Sequence, residues 1–121
     1  MAFHASGDAP ESPAALEKDT LRRLGMPEAI VMRHRTPHFG HVFSGDGYSA
    51  GYYSYMWSEV LDADAFSAFE EAGDPFDPEL AGRLRQHIYG AGGSADPEAL
   101  YTAFRGKLPT PAAMMAKRGL S

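Results

Sequence analysis

Residues 52–71 read YYSYMWSEVLDADAFSAFEE, a run that contains no glycine or proline. Apolar side chains recur in it at the spacing of one helical face: Val60, Leu61, Ala65 and Phe69. A strand would need turn-forming residues within about 8 positions, and none interrupts this run. Its first half also carries little polar surface. The run therefore predicts a mostly buried helix of about five turns.

Further helices are marked by a capping residue directly before a proline. Proline loses nothing at the first helical position, because its missing N–H would be unpaired there anyway. The Ser, Asp or Thr before it can accept a hydrogen bond from a backbone N–H of the first turn. The pairs are Ser12-Pro13, Asp77-Pro78, Asp96-Pro97 and Thr110-Pro111. We predict an all-α chain in which one glycine-rich loop precedes the central helix.

Composition excludes several classes of function. The net charge is −5 and basic residues occur singly or in pairs, so no basic stripe is available for nucleic acid. No apolar run approaches the ~18 residues of a membrane span, and without cysteine no disulfide can form. The length predicts a single unit over 1–121, in which the order of residues 1–11 stays open. We expect a soluble cytoplasmic protein with no nucleic-acid or membrane partner.

A cluster of histidines lies in residues 34–41, HRTPHFGH. Imidazole is a common zinc ligand, so the cluster invites a metal site. Pro37 interrupts the helix that would place His34 and His38 on one face, and no carboxylate is placed nearby to complete a set of ligands. Loop or surface histidines are the simpler interpretation, and a small metal-binding protein is kept as a minor alternative.

A group of tyrosines follows the glycine-rich loop. Tyr48, Tyr52 and Tyr55 have i, i+4, i+7 spacing, so they share a face if a helix begins near residue 48. Phenol hydroxyls on one face can donate hydrogen bonds to a carbonyl that gains negative charge. Packing with the hydroxyls bound to backbone is the commoner outcome of such spacing. The loop itself matches neither common nucleotide-binding motif.

Residues 34–69 resemble the closing region of the M3-type zinc metallopeptidases, the thimet oligopeptidase and peptidyl-dipeptidase family. The shared pattern is a histidine, a glycine-rich loop, a tyrosine and a Tyr-Tyr-x-Tyr-x-Trp helix. Later elements match as well: Gly92-Gly93-Ser94-x-Asp96, Phe104-Arg105-Gly106-x-x-Pro109 and Lys117-Arg118-Gly119-Leu120. The resemblance implies the all-α, C-terminal part of a zincin-type oligopeptidase catalytic domain. Its details are most similar to bacterial peptidyl-dipeptidases, which release dipeptides from the C-termini of oligopeptides.

The resemblance also implies roles for individual residues. His41 would bind the backbone of an oligopeptide substrate. Tyr48 and Tyr55 would be the catalytic residues of this chain, donating hydrogen bonds to the scissile carbonyl or its oxyanion. The glycines would make the loop mobile enough to close over substrate. The expected substrate-binding set is His41, Tyr48, Tyr52, Tyr55, Gly45 and Gly47.

The zinc-binding motif of that family is absent from this sequence. His-Glu-x-x-His carries two zinc ligands and the general base, and none of the five histidines here is followed by glutamate. We therefore expect zinc in the intact family enzyme, no metal on this chain, and no peptidase activity for the chain alone. It would be a segment of a larger catalytic domain.

A stand-alone helical module that binds a peptide or a partner protein, without catalysis, is the alternative. A segment of a larger domain should expose a contiguous apolar patch and self-associate, whereas an independent module should cover its core. The partners expected for the segment are an oligopeptide substrate, the missing catalytic portion, or a second copy of the chain through such an apolar face.

Overall fold

The computed structural model describes residue 4, residue 7 and residues 10–120, and the regular elements in this part of the chain are all helical. The all-α prediction is therefore confirmed. The question of order in residues 1–11 falls largely on residues outside the described ones. The α-helices are α1 (Pro13–Arg23), α2 (Asp46–Ser49), α3 (Tyr53–Ala72), α4 (Pro78–Leu84), α5 (Pro97–Arg105) and α6 (Ala112–Lys117). Short 3-10 turns lie at Thr36–His38 and Gly40–Val42, and a π-helical turn lies at Arg85–Tyr89.

The chain groups into two compact units, Met1–Tyr53 and Ser54–Ser121. The single unit over 1–121 stays a prediction. The first unit contains α1, both 3-10 turns and α2. The second contains α3 from Ser54 onward, together with α4, the π-helical turn, α5 and α6. Among the described residues, no helix is long and apolar enough to cross a membrane.

Capping before proline is confirmed at the starts of α1, α4 and α5. The backbone N–H groups of Ala15, Leu80 and Glu98 donate to the side chains of Ser12, Asp77 and Asp96, at 3.3, 2.7 and 3.1 Å respectively. The fourth prediction is wrong. Helix α6 begins at Ala112 with Pro111 as its cap residue, and no side chain caps it. Thr110 therefore lies one position too early to reach the first turn.

The central helix is confirmed, but its predicted burial is wrong. Helix α3 begins at Tyr53 and ends at Ala72. Met56, Trp57 and Phe66 are 56%, 63% and 50% exposed, and the buried residues of the helix all lie in its later part, between Ala63 and Phe69. The physical reason is that α4 and α5 pack against that later part, around Phe104, which is fully buried.

A single helix starting near residue 48 is also not observed. Helix α2 ends at Ser49, and the chain turns through residues 50–52 before α3 begins. Gly51 permits this turn, since a Cβ there would lie 2.9 Å from the carbonyl oxygen of Gly47. Tyr48, Tyr52 and Tyr55 therefore do not share one helical face, because they lie in α2, in the turn and in α3 respectively.

A buried ion pair ties α5 to α3 within the second unit. Arg105 Nε lies 3.2 Å from Asp64 Oδ2, and both side chains are only 6% exposed. The Tyr101 hydroxyl donates to the same carboxylate at 2.8 Å. Burial and the adjacent Asp64 carboxylate raise the pKa of Tyr101 well above its usual range. Arg105 also donates to both carboxylate oxygens of Glu71, at 2.9 and 2.6 Å, which lowers the pKa of Glu71.

Candidate functional site

The loop that carries the histidines is fixed to α1 by one side chain. Glu17 Oε2 accepts hydrogen bonds from the backbone N–H and the hydroxyl of Thr36, at 3.1 and 2.9 Å. Both bonds lower the pKa of Glu17, and the bond from the backbone N–H has the larger effect. Thr36 opens the 3-10 turn Thr36–His38, and the next turn, Gly40–Val42, contains His41. The histidine loop therefore starts from a fixed point on α1.

His41 and Tyr52 form a hydrogen-bonded pair in the first unit. His41 Nδ1 lies 2.7 Å from the Tyr52 hydroxyl. The Tyr48 ring stacks on the His41 ring, with 5.4 Å between centroids and an interplanar angle of 26°. The rings of Tyr48 and Tyr52 are themselves 5.4 Å apart. The structure thus brings together His41, Tyr48 and Tyr52, which we call the His41 cluster.

Phe39 is a member of this neighbourhood that sequence reasoning missed. Its ring meets Tyr52 edge-on at 4.8 Å and stacks with His34 at 5.0 Å. The Phe39 and His41 rings are 6.4 Å apart. The signal available in the sequence was an aromatic residue two positions before His41. Phe39 provides an apolar support against which Tyr52 and His34 are packed.

The remaining predicted site residues are placed separately. Tyr55 lies in α3, in the second unit, and is 58% exposed. Gly45 has φ of +149°, a conformation that side chains rarely adopt, and it directly precedes α2. Gly47 lies inside α2 rather than in the loop that was predicted to contain it. The roles of all these residues in substrate binding stay predictions.

The paired geometry defines what His41 can do. With Nδ1 engaged by Tyr52, the other ring nitrogen, Nε2, is the atom through which the imidazole can bind a peptide group. If the Tyr52 hydroxyl donates to Nδ1, then Nε2 carries a proton and can donate to a peptide carbonyl. If Nδ1 carries the proton and donates to the hydroxyl, Nε2 becomes an acceptor. The direction of the hydrogen bond between His41 and Tyr52 therefore decides whether Nε2 donates to a peptide carbonyl or accepts from a peptide N–H.

The described residues do not fit a zinc ion. Among them, no three His, Asp or Glu side chains come together in a way that could hold a metal. His34 stacks on Phe39, and His41 is engaged with Tyr48 and Tyr52. His34 and His41 are therefore packed against aromatic rings, and no reaction step is assigned to a metal held by these residues.

Comparison with known proteins settles the family. The model of "Peptidase family M3" matches residues 3–120. The chain belongs to peptidase family M3. This confirms the resemblance found in residues 34–69 and in the later motifs, which the M3 match covers together with nearly all of the remaining sequence.

Proteins similar to this chain include some named oligopeptidase A and others named dipeptidyl carboxypeptidase. Oligopeptidase A of Haemophilus influenzae is 40% identical over 98% of this chain, which corresponds to 17% of that protein. Dipeptidyl carboxypeptidase of Salmonella typhimurium is 40% identical over 93% of this chain and 16% of its own length. A probable cytosolic oligopeptidase A of Arabidopsis thaliana is 48% identical over 68% of this chain and 12% of its own length. The chain thus spans less than a fifth of the length of each of these relatives.

Proposed function

We propose that this chain forms part of the substrate-binding wall of an M3 zinc peptidase that releases dipeptides from the C-termini of oligopeptides. The observation that carries the proposal is the His41 cluster, in which His41 Nδ1 lies 2.7 Å from the Tyr52 hydroxyl. The name of the Salmonella relative, dipeptidyl carboxypeptidase, supports release of dipeptides. A cytoplasmic location is part of the proposal, and the name of the Arabidopsis relative supports it.

In this proposal each residue has a defined part. His41 binds the peptide backbone through Nε2, while the Tyr52 hydroxyl engages its Nδ1. Tyr48 and Tyr55 donate phenol hydrogen bonds to the scissile carbonyl as it gains negative charge. Gly45 and the short helix after it let the segment adjust over the bound peptide. Zinc supplies the hydrolytic chemistry of the family enzyme and is held outside the described residues, so this chain contributes binding and hydrogen-bond donation.

Binding without hydrolysis is the expected behaviour of the purified chain. We expect a panel of quenched oligopeptides to show no turnover with the chain, with or without added zinc. We expect weak peptide binding that falls about 10-fold in His41→Ala, because one hydrogen bond to the peptide backbone is lost. Fluorescence anisotropy of labelled peptides measures the affinity, and His38→Ala is the matched control from the same loop.

Two outcomes would contradict this expectation. Equal loss of affinity in His38→Ala and His41→Ala would remove the special role of the His41–Tyr52 pair. Turnover that a chelator abolishes would show that chemistry occurs without the His-Glu-x-x-His motif. The histidines at 34, 38 and 41 would then become the leading candidates for a zinc site.

The partner we propose is the zinc-bearing portion of an M3 peptidase. Met56, Val60 and Trp57 form an apolar stripe along α3, with Met56 and Trp57 more than half exposed. The same helical face continues as Asp64, Ser67 and Glu71, and there it is covered by Arg105 of α5. Since M3 relatives are several times longer than this chain, their remaining sequence can supply the cover for the stripe. The exposed stripe also disfavours a stand-alone module with a covered core.

The single tryptophan of the chain reports on this docking. We expect the ¹⁹F resonance of 5-fluorotryptophan at Trp57 to shift when the chain replaces the matching segment of Haemophilus influenzae oligopeptidase A in a hybrid protein. The reason is that the indole leaves water for a protein interior. Trp57→Phe assigns the resonance in the hybrid. An unshifted resonance would contradict the proposal, and a concentration-dependent shift in the free chain would favour a second copy as the partner.

A further inference from the structure

We propose that Glu17 is a positioning residue for His41, acting through Thr36 and Phe39 rather than by touching substrate. The importance of this role rests on the proposed function, in which His41 binds the peptide backbone. The role itself concerns the geometry of the first unit and can be tested without any peptide. Glu17 lies on α1, whereas every other residue involved lies in the loop or in the turns around α2.

The first step of the argument is the contact between α1 and the loop. Two donors of Thr36, its N–H and its hydroxyl, converge on the same oxygen of Glu17, at 3.1 and 2.9 Å. A hydrogen bond to a charged acceptor is stronger than one between neutral groups. The contact joins residues that are 19 positions apart, and it fixes both the backbone and the side chain of Thr36.

The second step follows the chain from Thr36 to His41. The N–H of Phe39 donates to the Thr36 carbonyl at 3.2 Å, and the N–H of Val42 donates to the Phe39 carbonyl at 3.2 Å. Two 3-10 turns separated only by Phe39 therefore connect Thr36 to His41. A displacement of Thr36 is transmitted to Phe39 and then to the turn that contains His41.

The third step is the ring contact that closes the arrangement. Phe39 packs edge-on against Tyr52 at 4.8 Å, and Tyr52 is the hydrogen-bond partner of His41. Phe39 therefore influences His41 along two routes, through the backbone turn and through the Tyr52 ring. If Thr36 loses its acceptor, Phe39 is held less firmly by both the backbone and the ring contact. The 2.7 Å hydrogen bond between His41 and Tyr52 is then formed for a smaller fraction of the time.

The test compares Glu17→Ala with Glu17→Gln and Asp19→Ala in the full chain. Glutamine keeps an acceptor oxygen at the same position, so it should restore most of what alanine removes. Asp19 is an exposed carboxylate of the same helix whose ion-pair partner is Arg22, so it serves as the matched control. The readouts are the ¹⁵N shifts of the His41 ring, which report the tautomer, and the affinity for labelled oligopeptides.

We expect Glu17→Ala to shift the His41 ring resonances toward those of Tyr52→Phe and to weaken peptide binding about threefold to tenfold, the range of one lost hydrogen bond. Glu17→Gln and Asp19→Ala should stay within about twofold of the starting protein. Adding Thr36→Val to Glu17→Ala should change nothing more, because the two residues act through one contact. The far-ultraviolet circular dichroism of the chain should be the same in all variants.

The proposal is overturned if Glu17→Ala leaves the His41 ring shifts unchanged, or if Asp19→Ala changes them equally. Loss of helical signal in Glu17→Ala alone would also overturn it, provided that Thr36→Val keeps the helices and leaves His41 unaffected. If the starting protein binds no peptide, the proposed function fails while the dependence of the His41 resonances on Glu17 can still hold. The two failures are therefore distinguishable.

Discussion

Replacing Arg105 by methionine should lower the free energy of unfolding by about 3–5 kcal/mol, because the change leaves a buried carboxylate without its partner. Asp64 and Arg105 are each only 6% exposed at the side chain, and 3.2 Å separates Arg105 Nε from Asp64 Oδ2. Tyr101 can still donate one hydrogen bond to Asp64, but it supplies no positive charge. Urea unfolding followed by circular dichroism at 222 nm measures the effect.

The matched control is Arg118→Met. Arg118 donates to both carboxylate oxygens of Glu59, so its pairing resembles that of Arg105 with Glu71. Its side chain is 45% exposed, however, and exposed ion pairs contribute little to stability. We expect almost no change in this variant. A large loss in Arg118→Met, or a small one in Arg105→Met, would show that burial does not decide the strength of these pairs.

A second variant separates the charge from the packing. Asp64→Leu combined with Arg105→Met removes both charges and leaves apolar groups of similar size. Replacing both partners of a buried ion pair in this way is often neutral. We therefore expect the double variant to recover most of the stability lost in Arg105→Met. Without such recovery, the loss would come from the contacts of Arg105 with Ser67 and Glu71, or from the Tyr101 hydroxyl, which loses its Asp64 acceptor in the double variant.

Local sequence signals predicted the helices because the relevant interactions span only a few residues. Ser12, Asp77 and Asp96 each bind a backbone N–H within three positions, so their role is visible without knowledge of the fold. Thr110 fails for an equally local reason. Pro111 takes the cap position itself, and nothing in the Thr-Pro pair distinguishes it from the pairs that begin a helix one residue earlier.

Burial of α3 could not be predicted in the same way. Met56 and Trp57 are residue types typical of a protein core, but their burial depends on which other elements pack against the first part of α3. In the described residues, α4 and α5 cover only the later part of the helix. Apolar composition shows that a surface needs a cover, and it does not show whether the same chain provides it. The first part of α3 is exposed for this reason.

The candidate site was predicted in part. The sequence pattern pointed to His41, Tyr48, Tyr52 and Tyr55, and the structure brings the first three of these together. It does so by a route other than the predicted one, since a turn at Gly51 replaces a continuous helix. Glu17 could not be found from spacing, because its contact with Thr36 depends on how the loop folds back on α1.

Removing the hydroxyl of Tyr55 should lower kcat about 100-fold to 1,000-fold in an active hybrid with Haemophilus influenzae oligopeptidase A, the usual loss when one oxyanion donor is removed. Tyr55→Phe keeps the ring and takes away only the O–H. A donor that acts on charge developed in the transition state stabilises the transition state more than bound substrate. KM should therefore change little while kcat falls, and steady-state kinetics on quenched oligopeptides separates the two constants.

Tyr48→Phe should lower kcat in the same direction, since we assign its hydroxyl to the same developing charge. The matched control is Tyr53→Phe, because Tyr53 lies in the same turn of α3 as Tyr55 and is 74% exposed. Equal losses in Tyr53→Phe and Tyr55→Phe would mean that any phenol in this turn matters, through packing rather than through hydrogen bonding. A raised KM with unchanged kcat in Tyr55→Phe would mean that Tyr55 only binds the peptide. The hydrogen bonds to the oxyanion would then have to come from other residues of the hybrid.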